Sequence, residues 1–521
     1  MSHRPTKVQQ KSVRKGPGRL RLGPTSGKAV AGGRGLGLSS SSPLLRLLVL
    51  GALLSAVGAL TFYLKYGVID LDVWLHLKAG DWIIQHRAMP HVDPFSRTAA
   101  GRPWIAYSWL YEVLLSFAYR WFGLVGLGLA GTIVTLAVAC GVFWMINRLS
   151  GRFWFSCILA IAACYSFLFN IMPRPAFASM ALLCVTLTLL LESSRSGRVQ
   201  SLYWLPLIFL LWANLHIQFV YGIFLLGMFV AVNLAQRLIT RFGFSPAWLS
   251  PATLPADKLL FVFAACVLAT GIGPYSFHLY QVVYSYSKAK VPYSIVAELQ
   301  PIDFRSPRHY VELLLAGAAF FAVGWNKKVD VFKLVLLAAC SFVAFRTLRD
   351  AWFICIPAAA CIADLGPARS ERVHPARFPQ IMGVAAVVVL SLLLFAHQLE
   401  FDTAGLDRAV RSNFPVDAAD FIRQRHIEGP LYNTFRWGDF LMWYLPEYPV
   451  AIDGRTDLYG DEMVERFTMT AGGFSYAQDP DLNASRVVLL QRRTPLVKFL
   501  TTDSQFERIY QDDVAVVFRR R

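Results

Sequence analysis

The sequence predicts an all-α polytopic membrane domain of about eleven transmembrane helices, followed by a small soluble α/β domain. Composition is the first observation: of 521 residues, 55% are hydrophobic and 14% aromatic, while only 16% are charged. The second is the repetition of apolar runs close to the ~20 residues that a bilayer-spanning helix needs. The third is a change after residue 398, where apolar runs shorten and charged residues become more frequent.

Residues 1–42 predict a disordered, basic cytoplasmic tail. They contain nine Lys or Arg, no Asp or Glu, and many Gly, Ser and Pro, a composition that cannot build a core. Positive charge before a first span is typical of the cytoplasmic side and is attracted to anionic membrane lipid. Because membrane topology explains the net charge of +18, we expect no nucleic-acid partner.

Residues 43–398 form the predicted multi-span domain. Basic residues fall in alternate loops between its apolar runs, as the positive-inside rule requires, and the first loop at 65–123 then faces outward. Within that loop, 107–122 carries apolar residues at helical spacing and predicts an interfacial amphipathic helix. The predicted spans are approximately 44–64, 124–146, 153–171, 176–192, 202–214, 217–236, 258–274, 309–325, 331–346, 350–365 and 379–397.

Residues 399–521 predict an extracytoplasmic α/β domain beside the first loop, since they follow an odd number of spans. Short apolar runs alternate with helical segments, as in a small mixed domain. The helices are predicted to begin near Pro415 and to cover about 461–468 and 495–501. The strands are predicted at 430–433, 450–453, 486–490 and 514–518.

Three polar residues follow the first span directly: Asp70, Asp72 and His76. Asp72 and His76 are four residues apart, so on a helix they share one face. Carboxylates at a membrane surface must be solvated, paired or metal-bound. The group is therefore either a reactive site, as a general base or as ligands of a divalent cation, or a hydrated loop at the membrane surface.

The other outward loops add polar residues that are candidates for substrate binding. Arginines there either bind a phosphate bidentately or extend to lipid headgroups. His216 marks a site or pathway at membrane depth, whereas neighbouring Asn214 is explained equally well by a helix–helix hydrogen bond. The candidates are Arg174, His216, Glu298, Arg346 and Arg349.

Several function classes lack their motifs in this chain. It has no HExxH, no GxSxG and no P-loop, which argues against a zinc peptidase, a serine hydrolase and a nucleotide-driven machine. All eight cysteines lie in or beside apolar runs without a CxxC pair, so we predict no metal site built on cysteine. In the C-terminal part, Asp453 and Asp457 follow a predicted strand and either face a ligand or cap a turn.

The order of these parts resembles the GT-C superfamily of polytopic membrane glycosyltransferases, which includes lipid A aminoarabinose and galacturonic acid transferases and protein O-mannosyltransferases. The closest local matches are Asp70-Leu71-Asp72 after the first span and then Gly80-Asp81-Trp82. The resemblance implies a catalytic Asp in the first loop, at Asp70 or Asp72, and a sugar donor linked to polyprenyl phosphate. It also implies location in a bacterial inner membrane, as part of the cell envelope.

The sequence therefore predicts a glycosyltransferase that moves a sugar from a polyprenyl-phosphate donor to a lipid, glycan or protein acceptor at the outer face. Asp72 is the predicted general base, and His76 is a further catalytic candidate. Asp70 either assists the base or binds a divalent cation, while Arg174, Arg346 and Arg349 hold the lipid phosphate. Two other hypotheses stay open: a transporter or lipid flippase with His216, Asn214 and Arg174 lining a pathway, and a non-catalytic scaffold on the same fold.

Overall fold

The computed structural model describes residues 43–168, 172, 174–244, 246–365 and 403–521, with separate positions between 378 and 393. The predicted basic tail at 1–42, the basic loop at 366–377 and most of the predicted span at 379–397 lie outside the described residues.

The described part of the predicted membrane domain is built from helices and short helical turns. The helices are α1 Pro43–Tyr63, α2 Tyr66–Ile69, α3 Asp72–His86, α4 Trp109–Ser150, α5 Phe153–Phe167, α6 Ala176–Ser196, α7 Leu205–Leu215, α8 Phe219–Arg241, α9 Ala256–Thr270, α10 His278–Lys288, α11 Val291–Ile295, α12 Pro307–Gly324, α13 Val331–Arg346 and α14 Trp352–Ala363.

Four stretches of the described chain are long and apolar enough to cross a membrane: Pro43–Ile69, Trp109–Ser150, Ala176–Ser196 and Phe219–Arg241. The other predicted spans with a described counterpart coincide with shorter helices, such as the 15 residues of α9 and the 12 residues of α14. A bilayer core of ~30 Å needs about 20 helical residues. The prediction of eleven full spans is therefore not confirmed.

Helix α4 is interrupted at Gly123, whose backbone is non-helical with φ 59° and ψ −141°. Glycine adopts such a positive φ without a steric penalty. The break separates an N-terminal segment, 109–122, from the apolar remainder of the helix. This segment buries Glu112 and Leu115 and exposes Phe117 and Trp121, the two-faced character that the sequence predicted for an interfacial helix.

Helices α3 and α4 approach each other closely at Gly80. A Cβ atom at this position would lie 2.0 Å from the backbone oxygen of Glu112, so only glycine allows this packing. The contact fixes the register of the two helices, and with it the position of the Glu112 side chain beside α3.

Residues 403–521 form a small mixed structure, as predicted. Its helices are α15 Thr403–Asn413, α16 Val416–Gln424, α17 Gly438–Tyr444, α18 Thr456–Ala471, α19 Pro480–Asn483 and α20 Leu496–Thr502. Its strands are β1 Leu431–Asn433, β2 Val487–Gln491, β3 Phe506–Gln511 and β4 Ala515–Arg520. The sheet order is β1-β2-β4-β3, with β1 parallel to β2 and the other pairs antiparallel.

The predicted strand at 450–453 is wrong, and β3 is a strand that the sequence prediction missed. Val450 forms only an isolated bridge with Ser96 of the first loop, and the Ala451 backbone N–H donates to Asn433 Oδ1. The 450–453 segment thus forms its hydrogen bonds with the first loop and with the end of β1. Strand β3 lies at the sheet edge with polar, partly exposed residues, so it lacks the apolar run of a buried strand.

The C-terminal residues share a core with the first loop. Trp74 of α3 is completely buried, and its ring contacts Phe414, Phe440 and Trp443 at centroid distances of 5.6, 5.1 and 4.6 Å. The Arg97 backbone N–H donates to the carbonyl of Val450. The C-terminal sheet and the first loop therefore hold each other in place.

Candidate active site

Three carboxylates converge on the guanidinium of Arg174. Its Nε and Nη2 atoms donate to Asp70, with Nη2 and Oδ1 2.7 Å apart. Its Nη1 lies 2.8 Å from Asp72 Oδ2 and 3.0 Å from Glu298 Oε1. These four residues come from three distant parts of the sequence, and all four are among the predicted site residues.

Local structure places each member of this cluster. Asp70 ends the short helix α2, and Asp72 begins α3. Arg174 lies directly before α6, next to Pro175, and Glu298 lies in a short helical turn at 297–299. Burial of a bare charge is unfavourable, so this mutual pairing is what allows a buried arginine and a buried aspartate to stand together.

The two aspartates differ in exposure. The side chain of Asp70 is 2% exposed, whereas that of Asp72 is 34% exposed. Both oxygens of Asp70 accept hydrogen bonds from Arg174, while Asp72 contacts it through Oδ2. Asp72 is therefore the aspartate of this pair that has a face open to a substrate.

Electrostatics keep Asp72 ionised. Burial acts to raise the pKa of Asp72, but the positive charges of Arg174 and Arg349 outweigh it and hold that pKa below its usual value. Burial disfavours the charged form of Arg174 and so acts to lower its pKa. The surrounding carboxylates outweigh this effect and hold the pKa of Arg174 well above its usual value. A charged carboxylate beside a charged arginine is thus the resting state of the site.

His76 is paired with a residue that the sequence analysis did not select. Its Nδ1 lies 3.1 Å from Oε1 of the buried Glu112. A carboxylate at this position orients an imidazole ring and fixes which nitrogen faces outward. Only the packing of α3 on α4 reveals this pair, because 36 residues separate the two in the sequence.

His216 is held by two buried neighbours. Trp212 Nε1 donates to Ser179 Oγ at 2.7 Å, and Ser179 Oγ lies 2.9 Å from His216 Nδ1. In the tautomer in which Ser179 Oγ gives its own hydrogen to Nδ1, the His216 proton lies on Nε2. Burial, together with the charge of Arg349, holds the pKa of His216 well below its usual value. A neutral His216 in this tautomer presents Nε2–H as a donor.

The two predicted arginines after α13 have different surroundings. The charge of Arg349 acts on Asp72, Glu298 and His216, so it belongs to the site. Arg346 instead lies over the ring of Tyr293, 5.7 Å from its centroid, and makes no ion pair with any described carboxylate. Arg349, like Arg346, makes no ion pair with any described carboxylate, but its charge is near enough to act on Asp72 and Glu298.

A chain of hydroxyl groups links the site to the C-terminal structure. Tyr286 donates to Asp457 Oδ1 at 3.1 Å, and the hydroxyls of Tyr286 and Tyr107 are 3.3 Å apart. Because the hydrogen of Tyr286 goes to Asp457, Tyr107 is the donor in the second bond. The charges of Asp72 and Arg349 act on Tyr107. The two tyrosine hydroxyls therefore connect Asp457 to the side chains around Asp72.

Asp453 and Asp93 form a buried group of ion pairs with Arg455. Arg455 lies 2.8 Å from Asp93 and 2.7 Å from Asp453, and all three side chains are at most 2% exposed. The guanidinium of Arg455 also lies over the Trp104 ring, 4.7 Å from its centroid. This buried group fastens the first loop to the C-terminal part.

An apolar cavity of about 820 Å³ lies between the start of α4, helix α7 and the segment that follows α9. Asn214 lines it and is fully engaged: it accepts from Trp109 Nε1 and donates to the carbonyls of Leu210 and Ile272. Asn214 therefore makes the interhelical hydrogen bond that was one of its two interpretations. The other lining residues include Leu207, Leu211, Ile272 and Pro274.

A divalent cation does not fit this arrangement. Among the described residues, no group of three or more His, Cys, Asp or Glu side chains is placed to hold a metal ion. The three carboxylates that come closest to such a group share Arg174, whose guanidinium takes the position that a cation needs.

No protein-family model and no curated protein matches the chain. Among solved structures, it is similar to crystal structures of ArnT from Cupriavidus metallidurans, one bound to undecaprenyl phosphate and one in the apo state. The sequence identities are 14% and 16%, respectively, and the TM-score is 0.44 for both. Each comparison covers 89% of this chain and 97% of the other.

Proposed function

We propose that this protein is a membrane glycosyltransferase that moves a sugar from a polyprenyl-phosphate donor to a hydroxyl group of a lipid, glycan or protein at the outer face. The observation that carries this proposal is Asp72, an ionised and partly exposed carboxylate that Arg174 fixes in place. A positioned base beside guanidinium groups suits a reaction in which a hydroxyl attacks and a phosphate leaves.

In this mechanism Asp72 is the general base. The acceptor oxygen bonds to the anomeric carbon of the sugar as the bond from that carbon to the phosphate oxygen breaks. The hydroxyl proton passes to Asp72, and the polyprenyl phosphate leaves with the electron pair of the broken bond. Asp70 positions Arg174, and because the donor is already activated the reaction needs no nucleotide.

The phosphate is assigned to Arg349 and to His216 Nε2–H. Arg174 uses Nε, Nη1 and Nη2 on carboxylates, so it orients Asp72 and leaves phosphate binding to other groups. Arg349 carries a second positive charge close to Asp72 and His216. A guanidinium matches phosphate geometry well, and a neutral histidine adds a hydrogen bond without requiring protonation.

The prenyl chain is assigned to the apolar cavity. Its lining residue Asn214 lies two residues before His216, so the cavity adjoins the polar site. Its walls are almost wholly apolar side chains, which suits a hydrocarbon chain and does not suit a sugar. The donor would then place its tail among α7 and α9 and its phosphate beside His216.

The test is transfer of labelled sugar from a polyprenyl-phosphate-linked lipid fraction by the purified protein, with undecaprenyl phosphate, the lipid held by one ArnT structure, as a competitor. Asp72→Asn should lower the rate by about 10²–10⁴-fold, the usual contribution of a general base. Asp81→Asn is the matched control, because Asp81 lies on the same helix, is 30% exposed and also pairs with an arginine.

Near-wild-type transfer by the Asp72→Asn protein would show that the base is another group. Absence of any transfer in the wild-type protein, together with lipid movement across vesicles, would favour the transporter hypothesis. Absence of both would favour the scaffold.

A further inference from the structure

One end of the C-terminal sheet carries an arginine-rich groove of about 970 Å³. Strands β2 and β4 are antiparallel, so the start of β2 lies beside the end of β4, with Val487 opposite Arg519. The segment before β1, at 425–428, lines the same groove. Its basic residues are Arg425, His426, Arg486, Arg519, Arg520 and Arg521, and no lysine lines it.

The groove has an excess of positive charge. Glu428 is the only acidic residue in its lining and pairs with Arg486, while Arg519 pairs with Glu507 at 2.9 Å. Arg425 makes no ion pair with any described residue. Several guanidinium groups around one concavity attract anions, and their planar shape suits carboxylate and phosphate groups.

The groove lies away from the junction with the first loop. That junction is at the opposite end of β1, where Asn433 donates to the carbonyl of Ile452 and Val450 bridges to Ser96. Asn433 pairs with Leu489, two residues beyond Val487 in β2, so the groove and the junction lie at opposite ends of the three-residue strand β1.

The walls also include apolar side chains. Phe421, Ile427 and Ile509 line the groove beside the arginines. A chain of sugar rings presents apolar C–H faces as well as charged substituents. It can therefore contact the apolar side chains and the arginines of the groove at the same time. A free phosphate ion would use only the arginines.

We propose that this groove binds an anionic glycan, through carboxylate or phosphate groups on successive sugars. The choice of a glycan rests on the proposed function, because a sugar transferase needs to hold its acceptor chain, whereas the anion site itself does not depend on it. This places acceptor recognition at the far end of the C-terminal sheet.

The test measures binding to the full-length protein in detergent, without any transfer reaction. The probes are a fluorescent oligogalacturonate for carboxylates, a phosphomannan oligosaccharide for phosphates, and neutral maltohexaose. We expect at least one anionic probe to bind, with an affinity that falls as salt is added, and the neutral probe not to bind. The double variant Arg425→Gln/Arg521→Gln should weaken that binding roughly tenfold, as expected for the loss of two exposed ionic contacts.

The control is Arg492→Gln, which removes an exposed arginine at the other end of the sheet, where Arg492 pairs with Asp513. It should leave binding unchanged, and thermal unfolding should show that all variants are folded. Equal binding of polyglutamate would indicate an acidic protein partner and overturn the glycan. Binding to phosphatidylglycerol vesicles that depends on Arg425 and Arg521 would indicate a membrane surface. Failure of both anionic probes would overturn the site, whatever the outcome of the transfer assay.

Discussion

At the scale of single residues, the site depends on how positive charge controls Asp72. Arg174 and Arg349 both lower the pKa of this carboxylate against the effect of burial. A carboxylate with a lowered pKa stays ionised at every pH above that value, so it remains able to accept a proton in weakly acidic solution. This property can be tested without removing Asp72 itself.

We predict that Arg349→Gln raises the pKa of Asp72, because it removes one of the positive charges that offset the effect of burial on that pKa. The acid limb of the pH–rate profile should move to higher pH, in addition to any general loss of rate from weaker phosphate binding. The matched control is Arg346→Gln, which removes an arginine from the ring of Tyr293 and should leave the acid limb in place. An acid limb that does not move in Arg349→Gln would show that Asp72 does not set it.

Much of the arginine–carboxylate cluster could be predicted from the sequence. Asp70, Asp72, Arg174 and Glu298 stand out because charged residues beside apolar runs need partners, and the structure brings these four together. Asp457 is identified only by its place after a predicted strand, with a turn cap as the alternative. Glu112 could not be found at all, because its role depends on which helices touch, and no short-range spacing in the sequence records that.

At the scale of elements, the contact between α3 and α4 positions His76 against Glu112. Gly80 permits that contact, since a methyl group there would clash with the backbone of Glu112. The local sequence predicts helical structure for the two parts of α4 and places Asp72 and His76 on one face if α3 is a helix, yet it gives no direct sign of how closely α3 and α4 pack. The same limit explains the wrong strand at 450–453, which is apolar enough for a strand but pairs with a loop.

We predict that Gly80→Ala destabilises the protein by about 1–3 kcal/mol, the usual cost of overpacking, and moves Glu112 away from His76. Thermal unfolding in detergent should show a lowered midpoint, and transfer should fall as well. Gly317→Ala is the control, because a Cβ atom at Gly317 of α12 meets nothing within 4 Å. A Gly80→Ala protein as stable and active as the wild type would show that α3 and α4 are not packed as described.

At the scale of the whole molecule, the first loop and the C-terminal sheet must lie on the same side of the membrane, because Trp74 and Arg455 join them in one core. This agrees with the alternation of basic loops in the sequence. Which side they occupy is set by the topology that this charge pattern predicts.

We predict that single cysteines at Val92 and Ser475 react with a membrane-impermeant reagent applied from outside, in a background without the native cysteines. Both positions are exposed, and both lie on the predicted outer side. Lys328→Cys, in a basic loop after α12, should react only after the membrane is permeabilised. Labelling of Lys328→Cys from outside, with protection of the other two, would reverse the orientation.

The bond between Tyr286 and Asp457 has a consequence for biosynthesis. Asp72 emerges from the ribosome early, whereas Asp457 follows it by roughly 400 residues, a delay of the order of tens of seconds at ~5–20 residues per second. During that interval the growing chain contains Asp72 and Arg174 but lacks the C-terminal wall that Trp74 and Asp93 pack against. Under the proposed function, we therefore expect a chain that is cut off before Asp457 to show no sugar transfer.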